Sequence, residues 1–340
     1  MQKSLVSIIV PFYKGEGYIS NAIKSILKQT YKKFELILIE NGPKDNSEEI
    51  IKGFNDDRIK YYYLTEGNIS NSRNYGIEKA TGEYVYFMDG DDTVDFRLFE
   101  KCIKEININK VDLVMFNYNK VSSNEINKVL LPWHNEVLKR KDIRDKLIPK
   151  MIHAKKREKP IAGTVWRVFT YFDNVKDLRF NNDILIAEDL IFNIELFSSV
   201  NSIYILDECL YNYTLNASSS LNSYKKDVIY QSITFHKVLK NILIKESLFE
   251  ENKERFYQNQ GKMYTTAISF SVRSNDRKIS IPEIKNIIKI YKRDSYNYLK
   301  LEYPVSIKIS FILMNLNLSS VLYIIYKYKE KNRIKKHKKI

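Results

Sequence analysis

Cysteine is scarce in this chain. Cys102 and Cys209 are the two cysteines among 340 residues, and neither has partner spacing for a metal. That argues against a disulfide-stapled scaffold and a thiolate metal site. It fits a reducing, cytosolic compartment, although two cysteines can in principle pair. Histidine is as thin. The four present are scattered and suggest no zinc site. No signal peptide is expected: Met1-Gln2-Lys3-Ser4 opens onto a short apolar run that stops at Pro11, too short for a signal h-region and cleavage site. Internal repeats are not visible. Acid is lacking at one end, where residues 226–340 carry 24 Lys and Arg against 10 Asp and Glu. Net charge over the whole chain is +15, so residues 1–225 are close to neutral. The excess points to an anionic partner at the C-terminal end and away from a basic catalytic surface. A nucleic-acid partner is not expected, because the basic residues are not interleaved with aromatics as a stacking groove requires.

What is present centres on Gly82–Asp95. Tyr84-Val85-Tyr86-Phe87-Met88 is apolar or aromatic and β-prone, and predicts a strand buried on both faces. Asp89, Asp91 and Asp92 follow at once. Unpaired buried carboxylates are very costly, so such a strand must empty them into a polar cleft. In an open α/β sheet, ligands sit at the carboxyl ends of the strands. Gly90 lets the backbone approach a ligand closely. The acids suit a hard cation that also holds phosphate oxygens, and equally a turn with solvated acids.

Around this stretch the pattern alternates. Strands are predicted at Leu5–Val10, Phe34–Ile39, Ile59–Leu64 and Asp112–Tyr118, with helices over Tyr18–Gln29, from Asn46, and over Asn68–Ala80. Strand alternating with helix implies right-handed crossovers and a mostly parallel α/β sheet flanked by helices. The pattern weakens over 121–162 and returns at Val165–Phe169. Ala187–Asn193 opens a further helix, two short strands are expected at Ser202–Leu206 and Cys209–Tyr213, and 226–340 reads as helical. Gly15-Glu16-Gly17 imitates a dinucleotide fingerprint, but Ser20 replaces the third glycine and four residues separate it from the strand.

Five motifs in order resemble the family 2 glycosyltransferases. They are Val6–Tyr13, Ser25–Tyr31 with Phe34–Ile39, Asn71–Ile77, Gly82–Asp92, and Glu188-Asp189. The resemblance implies a GT-A-like nucleotide-sugar-binding sheet. It also implies an inverting sugar transfer from a nucleoside diphosphate, usually with a divalent metal, Mn2+ or Mg2+. Carried over residue by residue, it places Pro11, Phe12, Tyr13, Glu16, Asn41, Arg73, Asp89, Gly90 and Asp91 at the donor. Asp91 and Asp92 fall at the metal. Asp189 becomes the general base and Glu188 its orienting neighbour. Trp166 becomes either an acceptor platform or core. Glu40-Asn41-Gly42-Pro43 stands where the family has Asp-Asp-Gly-Ser. Asn can both donate and accept, so UDP is favoured without other bases being shut out. Thr214 is not the basic residue often found there, and Lys225, Lys226 or Lys155-Lys156-Arg157 are candidate substitutes.

These readings divide the chain into a catalytic domain, 1–225, and a helical region with a basic tail, 226–340. The expected acceptor is a cell-surface polysaccharide or its lipid-linked precursor. An anionic polyol-phosphate polymer is the alternative that the basic end suits, and a catalytically silent glycan-binding module is another. Ile307–Tyr326 is apolar but broken by Lys308, Asn315 and Asn317, which predicts a packed helix rather than a span. Lys327, Lys329, Lys331, Arg333, Lys335, Lys336, Lys338 and Lys339 then crowd the terminus against Glu330. An anionic inner leaflet attracts such residues by roughly 1 kcal/mol each. Peripheral attachment to the cytoplasmic face of the membrane is the expectation.

Overall fold

A computed structural model describes residues 4–66, 68–215, 224–294 and 296–337, with side chains through Arg333. The chain divides into two units, 1–151 with 161–215, and 152–160 with 216–340. The first unit therefore ends at Leu215, short of the boundary expected after residue 225, and a short inner segment belongs with the second.

The first unit is built on β1 (Val6–Phe12), every residue of which is buried. Helix α1 (Ile19–Leu27) covers one face through Ile19, Ala22, Ile23 and Ile26. Next come β2 (Phe34–Asn41), α2 (Ser47–Lys52), β3 (Ile59–Leu64), α3 (Ile69–Lys79) and β4 (Tyr84–Phe87). Strands β3, β2, β1 and β4 lie side by side in that order and all parallel. This is the alternating half of the sequence, and strand order reverses between β1 and β4, where such sheets bind ligands.

Past β4 the sheet changes character. A two-residue strand, β5 (Thr93–Val94), precedes α4 (Leu98–Asn109) and β6 (Leu113–Val121). The weak stretch after it holds β7 (Ile126–Val129), β8 (Glu136–Lys139), α5 (Arg140–Asp142) and α6 (Ile148–Ile152), the two helices flanking a π-helical turn at Ile143–Leu147. Strand β9 (Val168–Tyr171) runs antiparallel between β4 and β6, so the parallel half passes into a mixed one. Helix α7 (Glu188–Ser199) leads to β10 (Ser202–Thr214), parallel to β6. The two strands expected over 202–213 are one. Asp207 and Glu208 fall where the pairing register shifts between Leu206 and Cys209, and a bulge there turns both acids out of the ladder. Asn117 Nδ2 donates to Asp207 at 2.7 Å, and Lys101 pairs with Glu208.

The second unit is helical: α8 (Val228–Lys245), α9 (Phe249–Ser271), α10 (Arg277–Arg293), α11 (Val305–Asn315) and α12 (Ser319–His337). Its core includes Tyr264, Tyr291, Tyr298, Phe311, Met314 and Leu322. The apolar stretch 307–326, read as one helix, is two. Asn317 sits at φ +57° between them, a left-handed conformation that Asn tolerates. Glu330, the acid of the basic tail, is buried and pairs with Arg273 at 3.2 Å and Arg333 at 2.6 Å. That part of the tail is packed rather than merely repulsive. Lys338 and Lys339 lie outside the described residues. Among the described residues, no helix is long and apolar enough to cross a membrane.

Candidate active site

Helix α3 brings the chemistry together. It begins at the carboxyl edge of the sheet, where Asn68 Oδ1 accepts the Asn71 N–H at 2.9 Å and caps it. Gly76 presses it onto β1: a Cβ there would lie 2.3 Å from Ile9 Cγ2. One turn earlier, Arg73 is 1% exposed. Its Nη2 donates to Asp89 Oδ1 at 2.9 Å. Its Nη1 donates to Asp189 Oδ1 at 2.6 Å and Glu188 Oε1 at 3.0 Å. The guanidinium lies over the Phe180 ring, which stacks on Phe192 with centroids 4.0 Å apart. A buried guanidinium is tolerated only when paired. Here one cation meets three carboxylates, so negative charge is left over at the mouth of the site.

Asn74 anchors the approach to α7. Its side chain donates to the Phe180 carbonyl and accepts the Phe180 N–H, each at 2.8 Å. Ala187, just before α7, holds φ +65°, an uncommon backbone for a residue with a side chain and one that marks functional segments. Asp189 Oδ2 accepts the Val165 N–H at 3.2 Å. Burial, followed by the charges of Glu188 and Asp89, raises the Asp189 pKa well above the usual carboxylate range, against the pull of Arg73. That is the direction a general base needs.

Met88 N–H donates to the Ile9 carbonyl at 3.0 Å, and the acids begin there. Gly90 lies against the end of β1, since a Cβ would meet Phe12 Cβ at 2.7 Å. Asp91 is exposed. Asp92 turns inward. Tyr211 Oη donates to its Oδ2 at 2.5 Å, and the Thr214 N–H donates to its Oδ1 at 2.7 Å. Burial, with Asp89 next, pushes its pKa up to about 8. Tyr211 Oη also accepts the Asp89 N–H at 3.3 Å. Its ring stacks on Trp166, centroids 4.2 Å apart.

Comparison with known proteins decides what this arrangement belongs to. Residues 7–171 match Glycosyl transferase family 2. These residues are a family 2 glycosyltransferase domain. The chain is 35% identical over 223 residues to the uncharacterized glycosyltransferase EpsJ of Bacillus subtilis, a match over 63% of this chain and 62% of that protein. It is 26% identical over 255 residues to the cholesterol galactosyltransferase of Borreliella burgdorferi, a match over 74% and 71%. The fold is that of S. aureus TarS 1–349 in complex with UDP-GlcNAc, with TM-score 0.61 and 18% identity over 98% of this chain and 92% of that one.

In this arrangement the expected residues divide. Arg73, Asp89, Glu188 and Asp189 form one bonded group. Tyr13 and Glu16 are exposed beyond β1, and Glu16 N–H donates to Asp45 Oδ2 at 3.0 Å. Asn41 ends β2, and its Nδ2 donates to Ser72 Oγ at 2.9 Å. Pro11 and Phe12 are buried, which leaves backbone rather than side chain to face a donor. Asp92 departs from the expected metal ligand. It is 1% exposed and turned inward, away from the exposed Asp91, and through Tyr211 and the Thr214 N–H it braces the loop. Trp166 is 4% exposed and packed in the core, the second of its two expected roles. Thr214 serves through its N–H. Lys155 pairs with Glu254 at 3.0 Å in the second unit. Sequence reasoning missed Ser72, Asn74 and Tyr211. Ser72 and Asn74 flank Arg73 and share its motif. Nothing local marks Tyr211, whose role depends on a contact across more than a hundred residues.

Proposed function

We propose that this chain is an inverting glycosyltransferase. It moves a sugar from a nucleoside diphosphate, UDP, to a hydroxyl of a cell-surface polysaccharide or its lipid-linked precursor. The observation that carries the reading is the Arg73 bridge. One buried cation ties Asp89, on the donor side, to Glu188 and Asp189, the acceptor side. Asp189 takes the proton from the acceptor hydroxyl as its oxygen attacks the anomeric carbon and the bond to the diphosphate breaks. Each Asp189 oxygen is already engaged once, and a carboxylate oxygen keeps a second lone pair for that proton. Glu188 orients the acceptor or the base.

The family implies a divalent cation, Mn2+ or Mg2+. Among the described residues no three His, Cys, Asp or Glu are grouped as a closed metal site would need. An all-oxygen set from Asp91, with Asp89, fits an ion held by one or two carboxylates and completed by phosphate oxygens. When bound, the cation offsets the charge that builds on the leaving diphosphate.

The base reading rests on Asn41. Ser72 Oγ donates to the Asn68 carbonyl at 3.2 Å, so it accepts from Asn41 Nδ2, and the amide is oriented. Its Oδ1 is left to accept the N3–H of uracil, whereas cytosine would present a lone pair there. Tyr13, which lies against Gly42, supplies an aromatic face for the ring. The S. aureus TarS structures with UDP-GlcNAc and with UDP support the same carrier. The basic C-terminal end suits attachment to an anionic cytoplasmic leaflet, beside a lipid-linked acceptor, and equally an anionic polyol-phosphate acceptor.

Calorimetry with UDP and CDP, with and without Mn2+, tests this. UDP is expected to bind more tightly than CDP by at least about tenfold, the worth of one hydrogen bond near 1.4 kcal/mol. Asp91→Asn is expected to abolish the metal-dependent part of UDP binding. Equal affinity for the two nucleotides, or unchanged metal dependence in the variant, would overturn the assignment.

A further inference from the structure

The C-terminal helices carry a second apolar stripe, on the side away from their own core. In α11, Ser310, Phe311 and Met314 are buried, while Val305, Ile309 and Ile312, and Leu316 just past its end, are exposed. Their spacing of four, three and four residues is that of one helical face. In α12, Leu322 and Tyr326 are buried, while Val321, Ile324 and Tyr328 are exposed, again at helical spacing. Leu316 and Leu318, at the turn between the helices, are exposed too and join one stripe to the other. Val305 is 74% exposed and Ile324 63%. Large apolar side chains left exposed in this number along two successive helices mark an interaction surface.

Charge says what covers it. Between Glu302 and Glu330 the sequence contains no acid, while Lys308, Lys327 and Lys329 lie within it. Glu330 is itself buried in ion pairs with Arg273 and Arg333, so its charge is offset within the unit. Lys329 and Lys331 are exposed at the end of the stripe. A second copy of this face would bring its own lysines against these. An anionic bilayer complements both features, taking the apolar side chains below its headgroups and the lysines among them.

We infer that the α11–α12 face is an interfacial membrane anchor, lying in the plane of an anionic leaflet with Val305, Ile312, Val321 and Ile324 inserted. This deepens the proposed function and rests on its reading of a lipid-linked acceptor. It differs from attachment by the basic tail alone, because binding has an apolar part that salt does not screen. The helices lie on the bilayer and do not span it.

The full chain is floated with phosphatidylcholine vesicles and with vesicles containing phosphatidylglycerol, at low and high salt. Flotation is expected to be stronger with the anionic vesicles than with the neutral ones, with part of it surviving about 0.5 M salt, where surface charges are strongly screened. Ile312→Asp with Ile324→Asp is expected to lower vesicle affinity at least about tenfold. Ile126→Asp, at an exposed site on β7, is expected to leave it unchanged. If the double variant unfolds by circular dichroism, Val305→Asp in the first turn of α11 replaces it. Lys329→Ser with Lys331→Ser tests the charge, and is preferable to cutting the chain after Tyr326, which would remove Glu330 from Arg273. Vesicle binding unaffected by the aspartates, or no binding to anionic vesicles, overturns the anchor. So does a dimer, seen by light scattering, that the aspartates dissociate. UDP calorimetry on the same preparations separates the two readings, since failed UDP binding with intact flotation removes the donor assignment alone.

Discussion

Asp189→Asn is expected to keep UDP affinity within about twofold and to lower sugar transfer by at least about a hundredfold, the usual cost of a lost general base. Asn keeps one accepting oxygen, which Arg73 can hold, while its Nδ2 replaces the oxygen that accepts the Val165 N–H, so the shape is kept at the cost of that one hydrogen bond. What it cannot do is take a proton. Because burial and two neighbouring carboxylates raise the Asp189 pKa, wild-type turnover should also fall, as pH drops, at a higher pH than an ordinary carboxylate near 4 would give. The variant's residual rate should lose that dependence. Transfer assayed against a panel of glycan and lipid-linked acceptors, with donor binding measured in parallel, decides it. Near-normal turnover in the variant removes Asp189 from the role.

Arg73→Met is expected to cost stability, by about 3–5 kcal/mol, because it leaves Asp89, Glu188 and Asp189 without the cation they share. The loss should depend on pH, and the sign follows from the carboxylates. Without the cation the folded Asp189 pKa, already raised by burial, rises further above the unfolded one. The folded state then binds more protons, and stability grows as pH falls. The variant should therefore approach wild type in mild acid and fall furthest behind at neutral pH and above. Arg73→Lys should recover part of the loss, since an ammonium is a point charge that cannot fork to three partners. Urea unfolding at several pH values measures both effects. A midpoint equal to wild type at neutral pH would mean that the ion-pair cluster does not hold these elements together.

The parallel half of the sheet was legible because β1, β2 and β4 are buried apolar runs separated by helices with apolar stripes. Asp89, Asp91 and Asp92 were legible for the same reason, since they follow directly on β4, whereas Glu188 and Asp189 open α7 and were placed by resemblance alone. Beyond β4 the signal fades. Strand β7 is exposed and short, so it carries no alternation. The joining of two expected strands into β10 depends on a bulge that removes Asp207 and Glu208 from the ladder. The inward turn of Asp92 was invisible because it is set by Tyr211 and Thr214, far along the chain. A run of acids does not announce which member faces in. The turn at Asn317 was hidden inside an apolar stretch, where Asn read as a polar interruption rather than a left-handed hinge.

Gly76 carries a consequence for how this protein can change. The bare Cα lets α3 rest on Ile9, and the height of that helix fixes where Arg73 meets its three acids. Residues 9 and 76 should therefore be epistatic. Gly76→Ala alone overfills the contact, and Ile9→Ala alone leaves a void, so each should be harmful. Combined, the added methyl occupies part of the space that the isoleucine vacates. The double variant should then lose less stability than the two single losses add up to, a positive coupling of the size that touching core residues show, about 0.5–3 kcal/mol. Activity should follow the same non-additive pattern, although neither residue reaches the cleft. A lineage could thus cross from one pairing to the other only by tolerating a weakened intermediate.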